Sequence, residues 1–365
     1  MFLGRSINMN HDVMDSTLTA ASASAATDTA TTAPCRKKHP VRPVMITGAS
    51  SGIGLELARH YARKGKPLVL VARNVKRLEA TALELAQLNA AYTHDPALIT
   101  TVSLDVADAK AVDAQLNQLI LSHGIPELLI NAAGIVNVGR FLEMDADYFD
   151  ANLRIDFEGT ANVCRAIAPA MAKAGSGHIV NIASVASYLG IYGYTGYSAA
   201  KFAVMGFSEA LRFEMKPLGI KVSVVCPPDT LTPGFAAERA ARPIETEAIA
   251  GGIKALDPAL VARKIVQGIE SKRFYIIIGA SSKFYFRLKG LLPEVFLSIV
   301  DGEVRRAQKS AAKHTVVNHS HSQGFTLHDI SSPSACLPEQ IAFDRGGTTF
   351  YSTSRCSGRI LAQGC

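Results

Sequence analysis

The stretch Val41–Asn74, VRPVMITGASSGIGLELARHYARKGKPLVLVARN, decides the fold. It reads as strand, glycine turn, helix, strand. PVMI is a short apolar run and PLVLVA is a second. Between them Thr47, Gly48, Gly52 and Gly54 make T-G-x-x-x-G-x-G, and a helical pattern follows to about Lys64, with Gly65 as its stop. Glycine permits a tight turn and lets backbone approach a phosphate at a helix N-terminus. Ser50 and Ser51 add hydroxyl donors. In a bare loop such a turn means little; between a strand and a helix it signals dinucleotide binding.

The end of the second strand bears on which dinucleotide. An acid there would grip the 2′-hydroxyl of NAD, but Ala72 and Arg73 stand at that point and Arg77 follows. Two guanidinium groups suit the 2′-phosphate of NADP, so NADPH is expected. The bland alternative is that both arginines decorate the start of the next helix.

The alternation continues downstream. LITTVSLDV is a strand ending near Asp105 and Val106; Asp105 either accepts from an adenine amino group or caps the next helix. ELLINAAGIV is another strand, and Asn131, Ala132 and Gly134 in its N-A-A-G end leave room for a flat adenosine. A helix from about Asp145 to Ala172, a strand ending at Ser184, a helix carrying Tyr197 and a strand IKVSVVC follow in turn. Strands alternating with helices predict an α/β single-domain Rossmann fold, a doubly wound parallel sheet with helices on both faces. Ligands of such sheets bind outside the carboxyl ends of the strands. Gly52, Asn131, Ser184 and Pro227 all fall at those ends, which points to one shared site.

The chemistry is expected in NIASVASYLGIYGYTGYSAAK, Asn181 to Lys201. Tyr197 and Lys201 are four apart and share one helix face. Ser184 sits at the preceding strand end. A hydroxyl, a phenol and an ammonium can converge there. A phenol of pKa about 10 is a poor acid–base partner near neutrality, and a neighbouring ammonium lowers that value. Y-x-x-x-K alone is also what an ordinary helix face looks like; its place in the strand order gives it weight.

Composition bounds the rest. The chain has 365 residues, 48% hydrophobic, no Trp, and a formal charge of +7. That charge suits a phosphate ligand or an acidic membrane surface, and no basic run interleaved with aromatics supports nucleic-acid binding. Six cysteines without CxxC spacing suggest a reducing compartment and no structural zinc. His314, His319, His321 and His328 read as solvated tail, so no metal is expected. No run is long enough to span a membrane, and no secretory signal is visible. Residues 1–40, low-complexity in Ala, Ser and Thr, are expected to be disordered, as are 309–365. The domain would occupy 41–283. Residues 284–308, apolar with basic flanks, are expected to be a packing helix, a dimer contact or a segment lying on a membrane.

The ordered set TGASSGIG, ARN, LDV, NAAG, Ser184, YSAAK and PPDTLTPG resembles the short-chain dehydrogenase/reductase family over about 41–280. CPPDTLTPGF with RPIETEAI is similar to the branch that reduces long-chain 3-keto sphingoid bases. The resemblance implies that Tyr197 protonates a carbonyl oxygen. Lys201 would lower its pKa and hold the nicotinamide ribose, and Ser184 would bind the substrate oxygen. It implies cofactor contacts from Gly48, Ser50, Ser51, Gly52, Ile53 and Gly54. Further contacts would come from Arg73, Arg77, Asp105, Val106, Asn131, Ala132 and Gly134, and from Thr230 and Thr232 at the carboxamide. Leu189, Ile191, Tyr192, Tyr194, Val138 and Phe235 would line an apolar groove, with PPDTLTPGF onward as a lid.

One position departs from the family. Three residues before Gly159, where an Asn is usual, stands Asp156, which when ionised can only accept; Asn152, one turn earlier, is an alternative. The implied activity is NADPH-dependent reduction of a long-chain keto lipid, 3-dehydrosphinganine in first place. Another carbonyl (3-oxoacyl, steroid or small ketone) or a non-catalytic NADP-binding regulator are the alternatives. A homo-oligomer is expected, in the cytoplasm or peripheral on the cytoplasmic face of a membrane, the endoplasmic reticulum in a eukaryote.

Overall fold

A computed structural model describes residues 42–92, 98–250 and 254–321. The expectations for residues 1–40, and for the tail beyond His321, lie outside the described residues. The described residues from Arg42 through Ala311 belong to one compact unit.

Seven parallel strands run in the order β3-β2-β1-β4-β5-β6-β7. They are β1 (Val44–Thr47), β2 (Leu68–Ala72), β3 (Ile99–Ser103), β4 (Leu128–Asn131), β5 (Gly177–Ile182), β6 (Ile220–Cys226) and β7 (Tyr275–Ile277). Period-two alternation sorts their side chains. Val44 and Ile46 enter one apolar cluster while Met45 enters another. Leu68 and Leu70 of β2 likewise part from Val69 and Val71. Both faces therefore need cover, and helices supply it. The first cluster takes residues of α1 (Gly52–Arg63), α2 (Val75–Tyr92) and α9 (Pro258–Glu270). The second takes residues of α3 (Ala109–His123), α5 (Gly159–Lys173) and α6 (Thr195–Met215). The doubly wound sheet read from sequence is the one observed.

Local chemistry explains several boundaries. Asp108, not Asp105, caps α3, accepting from the Lys110 and Ala111 amides at 3.1 and 3.0 Å. Asp257 caps α9 ahead of Pro258. After α6, a 3-10 turn (Lys216–Leu218) leads to Gly219 at φ +76°, where an L side chain would be strained.

Two expectations need correction. The helix predicted over about 145–172 runs from Ala146 to Lys173 but is not α-helical throughout. It is α4 (Ala146–Asn152), a π-helical turn (Leu153–Glu158) and then α5. The segment 284–308 is two helices, α10 (Ala280–Leu291) and α11 (Pro293–His321), broken where Pro293 cannot continue a helix. α11 runs past the predicted end of structure at Gln308 because KSAAK continues good helix formers after the apolar pattern stops. After β6, α7 (Pro233–Ala240) and α8 (Ile244–Ala250) form the segment read as a lid.

His178 on β5 carries a pH dependence. Its Nε2 lies 2.8 Å from Ser223 Oγ, and burial, with Lys221 nearby, pushes its imidazole pKa down to about 4. The native state then keeps His178 neutral where an unfolded chain, at about 6.5, takes a proton. Stability should be full above pH 6.5 and fall as pH drops toward 4, by on the order of 3 kcal/mol at most. Urea unfolding across that window should show this slope, and His178→Gln should flatten it.

Candidate active site

The strand ends gather the predicted groups around two adjoining pockets. The larger, of about 570 Å³, is lined by Gly52, Ile53, Gly54, Ala132, Ser184, Tyr197, Lys201, Thr230 and Thr232. The smaller, of about 190 Å³, is lined by Ser50, Arg73, Arg77, Asp105 and Val106. Gly48, Ser51 and Gly134 belong to both, so the glycine turn stands between them.

The turn fits an anion. Gly48 and Gly52 have φ of +66° and +56°, the left-handed region that favours glycine. A Cβ on Gly54 would collide with the Gly48 carbonyl, so the turn closes onto α1 only with glycine there. Ser51 is the N-cap of α1, yet its side chain makes no capping hydrogen bond, and the first turn holds no acid. Amides, a hydroxyl and the positive end of the helix dipole are therefore all available to a pyrophosphate. In the smaller pocket Arg73 lies 3.9 Å from Asp105 Oδ2, with both side chains about half exposed. Asp105 Oδ1 is taken by the Ala107 amide at 3.0 Å. A nicotinamide dinucleotide thus fits, with its pyrophosphate at the turn and its adenosine half toward Arg73 and Arg77.

Asn131 is a correction. Its side chain is buried below the strand ends, donates to Asn181 Oδ1 at 2.9 Å and lines neither pocket. It ties β4 to β5 instead of facing a ligand. Val138 also stays out of the pockets, whereas Leu189, Ile191, Tyr192, Tyr194 and Phe235 line the larger one. The Thr230 hydroxyl donates to the Pro228 carbonyl at 2.8 Å, and Thr232 Oγ1 caps α7 by accepting from the Phe235 amide at 3.1 Å. Both threonines face the pocket with hydroxyls already engaged.

Ser184 caps a 3-10 turn (Val185–Ser187), accepting from the Ala186 amide at 3.1 Å, and its hydroxyl also bonds the Tyr197 phenol. α6 presents Tyr197 and Lys201 to the same cavity. The Lys201 ammonium stands 5.5 Å from the Tyr197 ring centroid, donates to the Ile182 carbonyl at 3.3 Å and lies 3.4 Å from Asp156 Oδ2. The phenol is not held low. Burial raises its pKa well above the tyrosine range, and the Asp156 carboxylate raises it further, against the Ser184 hydrogen bond. Asn152 is not a substitute for Asp156. Its amide oxygen accepts from the Asn137 amide at 3.1 Å, and its NH₂ is used on the Asn137 and Tyr148 carbonyls.

Two groups of pocket residues escaped the sequence reading. α10 and α11 supply Ser282, Tyr285, Phe296, Ile299 and Val300. A charged network holds the lid: Arg242 is buried between Glu238 at 2.5 Å and Asp229 at 2.8 Å, and Tyr194 donates to the same Glu238 oxygen. Glu238 and Arg242 stand four apart, a spacing visible in the sequence, whereas Asp229 and Tyr194 join them only by folding.

The model of the short chain dehydrogenase family matches residues 42–243. The chain belongs to the short-chain dehydrogenase/reductase family and is an NAD(P)-dependent oxidoreductase. The 3-ketodihydrosphingosine reductase of Bos taurus is 34% identical over 72% of this chain and 78% of its own length. The 3-dehydrosphinganine reductase of Danio rerio is 36% identical over 61% of this chain and 67% of its own. Among solved structures, a short-chain dehydrogenase from Sphingobium yanoikuyae in complex with NADPH superposes with a TM-score of 0.58 at 26% identity, covering 69% of this chain and 96% of that one.

Gly54→Val should open the phosphate turn. Dinucleotide affinity, read by fluorescence titration, should fall at least about tenfold, a loss of roughly 1.4 kcal/mol.

Proposed function

We propose that the protein reduces the 3-keto group of 3-dehydrosphinganine, a long-chain amino ketone, to sphinganine with NADPH. The observation that carries this reading is the shape of the larger pocket. It reaches from Tyr197 and Ser184 to an apolar wall of Leu189, Ile191, Phe235, Tyr285, Phe296 and Ile299, enough to receive an alkyl chain. The names of the two relatives agree with it.

The bound dinucleotide supplies a hydride to the carbonyl carbon. The Ser184 hydroxyl holds the carbonyl oxygen, and Tyr197 gives that oxygen its proton and becomes a phenolate that solvent reprotonates. Lys201, 5.5 Å from the centre of the phenol ring, would hold the nicotinamide ribose. Arg73 and Arg77, which line the smaller pocket, would pair with a 2′-phosphate and so favour NADPH over NADH.

Charge on the pocket wall favours an amine-bearing substrate. Asp229, Glu238 and Glu303 stand against Arg242 and Lys201 among the residues lining it, so the wall is net negative by one charge. The ammonium beside the ketone of 3-dehydrosphinganine meets attraction, whereas an anionic 3-oxoacyl thioester meets repulsion.

The wall also continues onto a surface suited to a bilayer. Ile299 lines the pocket while half exposed, and Phe284, Leu291, Leu292 and Val295 stand exposed on the same two helices among Lys283, Arg287 and Lys289. Among the described residues no helix is long and apolar enough to cross a membrane. Peripheral contact on an acidic cytoplasmic leaflet therefore fits these helices best.

A substrate panel read by cofactor absorbance tests the reading. 3-Dehydrosphinganine should outperform both its N-acetyl derivative and 3-oxoacyl thioesters, and Tyr197→Phe should abolish turnover. Preference for a thioester would reject the substrate; turnover in Tyr197→Phe would reject the mechanism. Arg73→Ala with Arg77→Ala should raise the KM for NADPH by about tenfold or more and leave that for NADH nearly unchanged. Flotation with phosphatidylserine vesicles should carry the protein, and substituting Leu291 and Leu292 by Ser should release it.

A further inference from the structure

Asp156 is fully buried on the π-helical turn. Such turns redirect side chains and recur at functional sites. Here the turn is stitched in place, since the Thr160 hydroxyl donates to the Asp156 carbonyl at 2.8 Å. The carboxylate spans two neighbours. Oδ1 accepts from the Ile135 amide at 2.8 Å, and Oδ2 faces Lys201 Nζ at 3.4 Å with no hydrogen bond of its own among the described residues. Gly134 leaves the passage open, because a Cβ there would come within 2.8 Å of Oδ1.

The charged groups near the phenol are few. Lys201 comes from α6 and Asp156 from the π turn. Asp229, Glu238 and Arg242 come from the lid side, and Ser184 adds a neutral hydroxyl. Lys201 is thus the cation nearest Asp156, and it is matched one for one.

We propose that Asp156 is a positioning residue, whose carboxylate fixes Lys201 by a buried ion pair and cancels the lysine's charge at Tyr197, so that the phenol remains a proton donor and the centre favours ketone reduction over alcohol oxidation. This rests on Tyr197 being the proton donor. A bare ammonium beside a phenol promotes phenolate and hence proton abstraction from an alcohol; an ammonium already paired does so less. The Asp156 carboxylate raises the Tyr197 phenol; burial raises the Asp156 carboxyl itself, with Lys201 and the Ile135 amide pulling the other way toward its ionised form. An asparagine would keep the shape and the Ile135 contact but leave Lys201 uncancelled.

The test is Asp156→Asn in the full chain without cofactor. Tyrosinate formation is followed by ultraviolet difference absorbance, with Tyr197→Phe as the blank. In the wild type the transition of residue 197 should lie above the ordinary value of 10. In Asp156→Asn it should fall by about one unit or more, the scale of a nearby unit charge. The pH profile of alcohol oxidation should move down in parallel, with the KM for the ketone unchanged. If Asp156→Asn does not fold, Asp156→Ser is read the same way. An unmoved tyrosinate transition in a folded variant would overturn the proposal, as would a uniform loss of turnover without displacement of the profile. Turnover in Tyr197→Phe is a different failure, since it removes the proton donor and not the partner of Lys201.

Discussion

Parallel pairing in one register is the constraint on which the molecule depends. Thr47 pairs with Asn131, and Asn131 with Asn181, so β1, β4 and β5 end level with one another. The loops that leave those ends begin from one line, and whatever they carry must meet there. The Thr47 hydroxyl, which accepts from the Ala132 and Ala133 amides at 3.1 Å each, fastens the loop after β4 to the end of β1. Asn131 and Asn181 join side chains a layer below. The cofactor turn, Ser184 and the face of α6 are consequently brought to one place by backbone pairing, and their own contacts fix them there.

Inside that frame the hard problem is charge. An ammonium at 5% exposure must be matched, and Lys201 finds Asp156 and the Ile182 carbonyl. Desolvation makes each of these ions expensive alone, so the pair stands or falls together. Arg242 on the lid side follows the same rule, with its guanidinium at 3% exposure between Glu238 and Asp229. Two buried cations, each answered by carboxylate, thus line the same pocket as the Tyr197 phenol.

Much of this was legible because the signals are local. The strand pattern in PVMI and PLVLVA, the glycines that α1 requires and the four-residue step from Tyr197 to Lys201 are all short-range properties. Asp156 could be singled out as a departure by counting from Gly159. The π turn could not, since nothing in LRIDFE breaks a helical composition and the contacts that accompany it come from Ile135 and Lys201, far along the chain. Asn131 misled for the opposite reason: its place at a strand end suggested a ligand contact, but the period of the strand turns it inward to Asn181. The part of the pocket built by α10 and α11 was hidden because Tyr285, Phe296 and Val300 look in sequence like any apolar helix stripe.

That last feature separates two inheritances within one polypeptide. The glycine turn and the smaller pocket are made by the first half of the sheet, whereas part of the wall of the larger pocket comes from helices placed after β7. Lengthening, trimming or re-angling those appendages would reshape that wall while leaving the glycine turn, Ser184 and the Tyr197–Lys201 face of α6 alone.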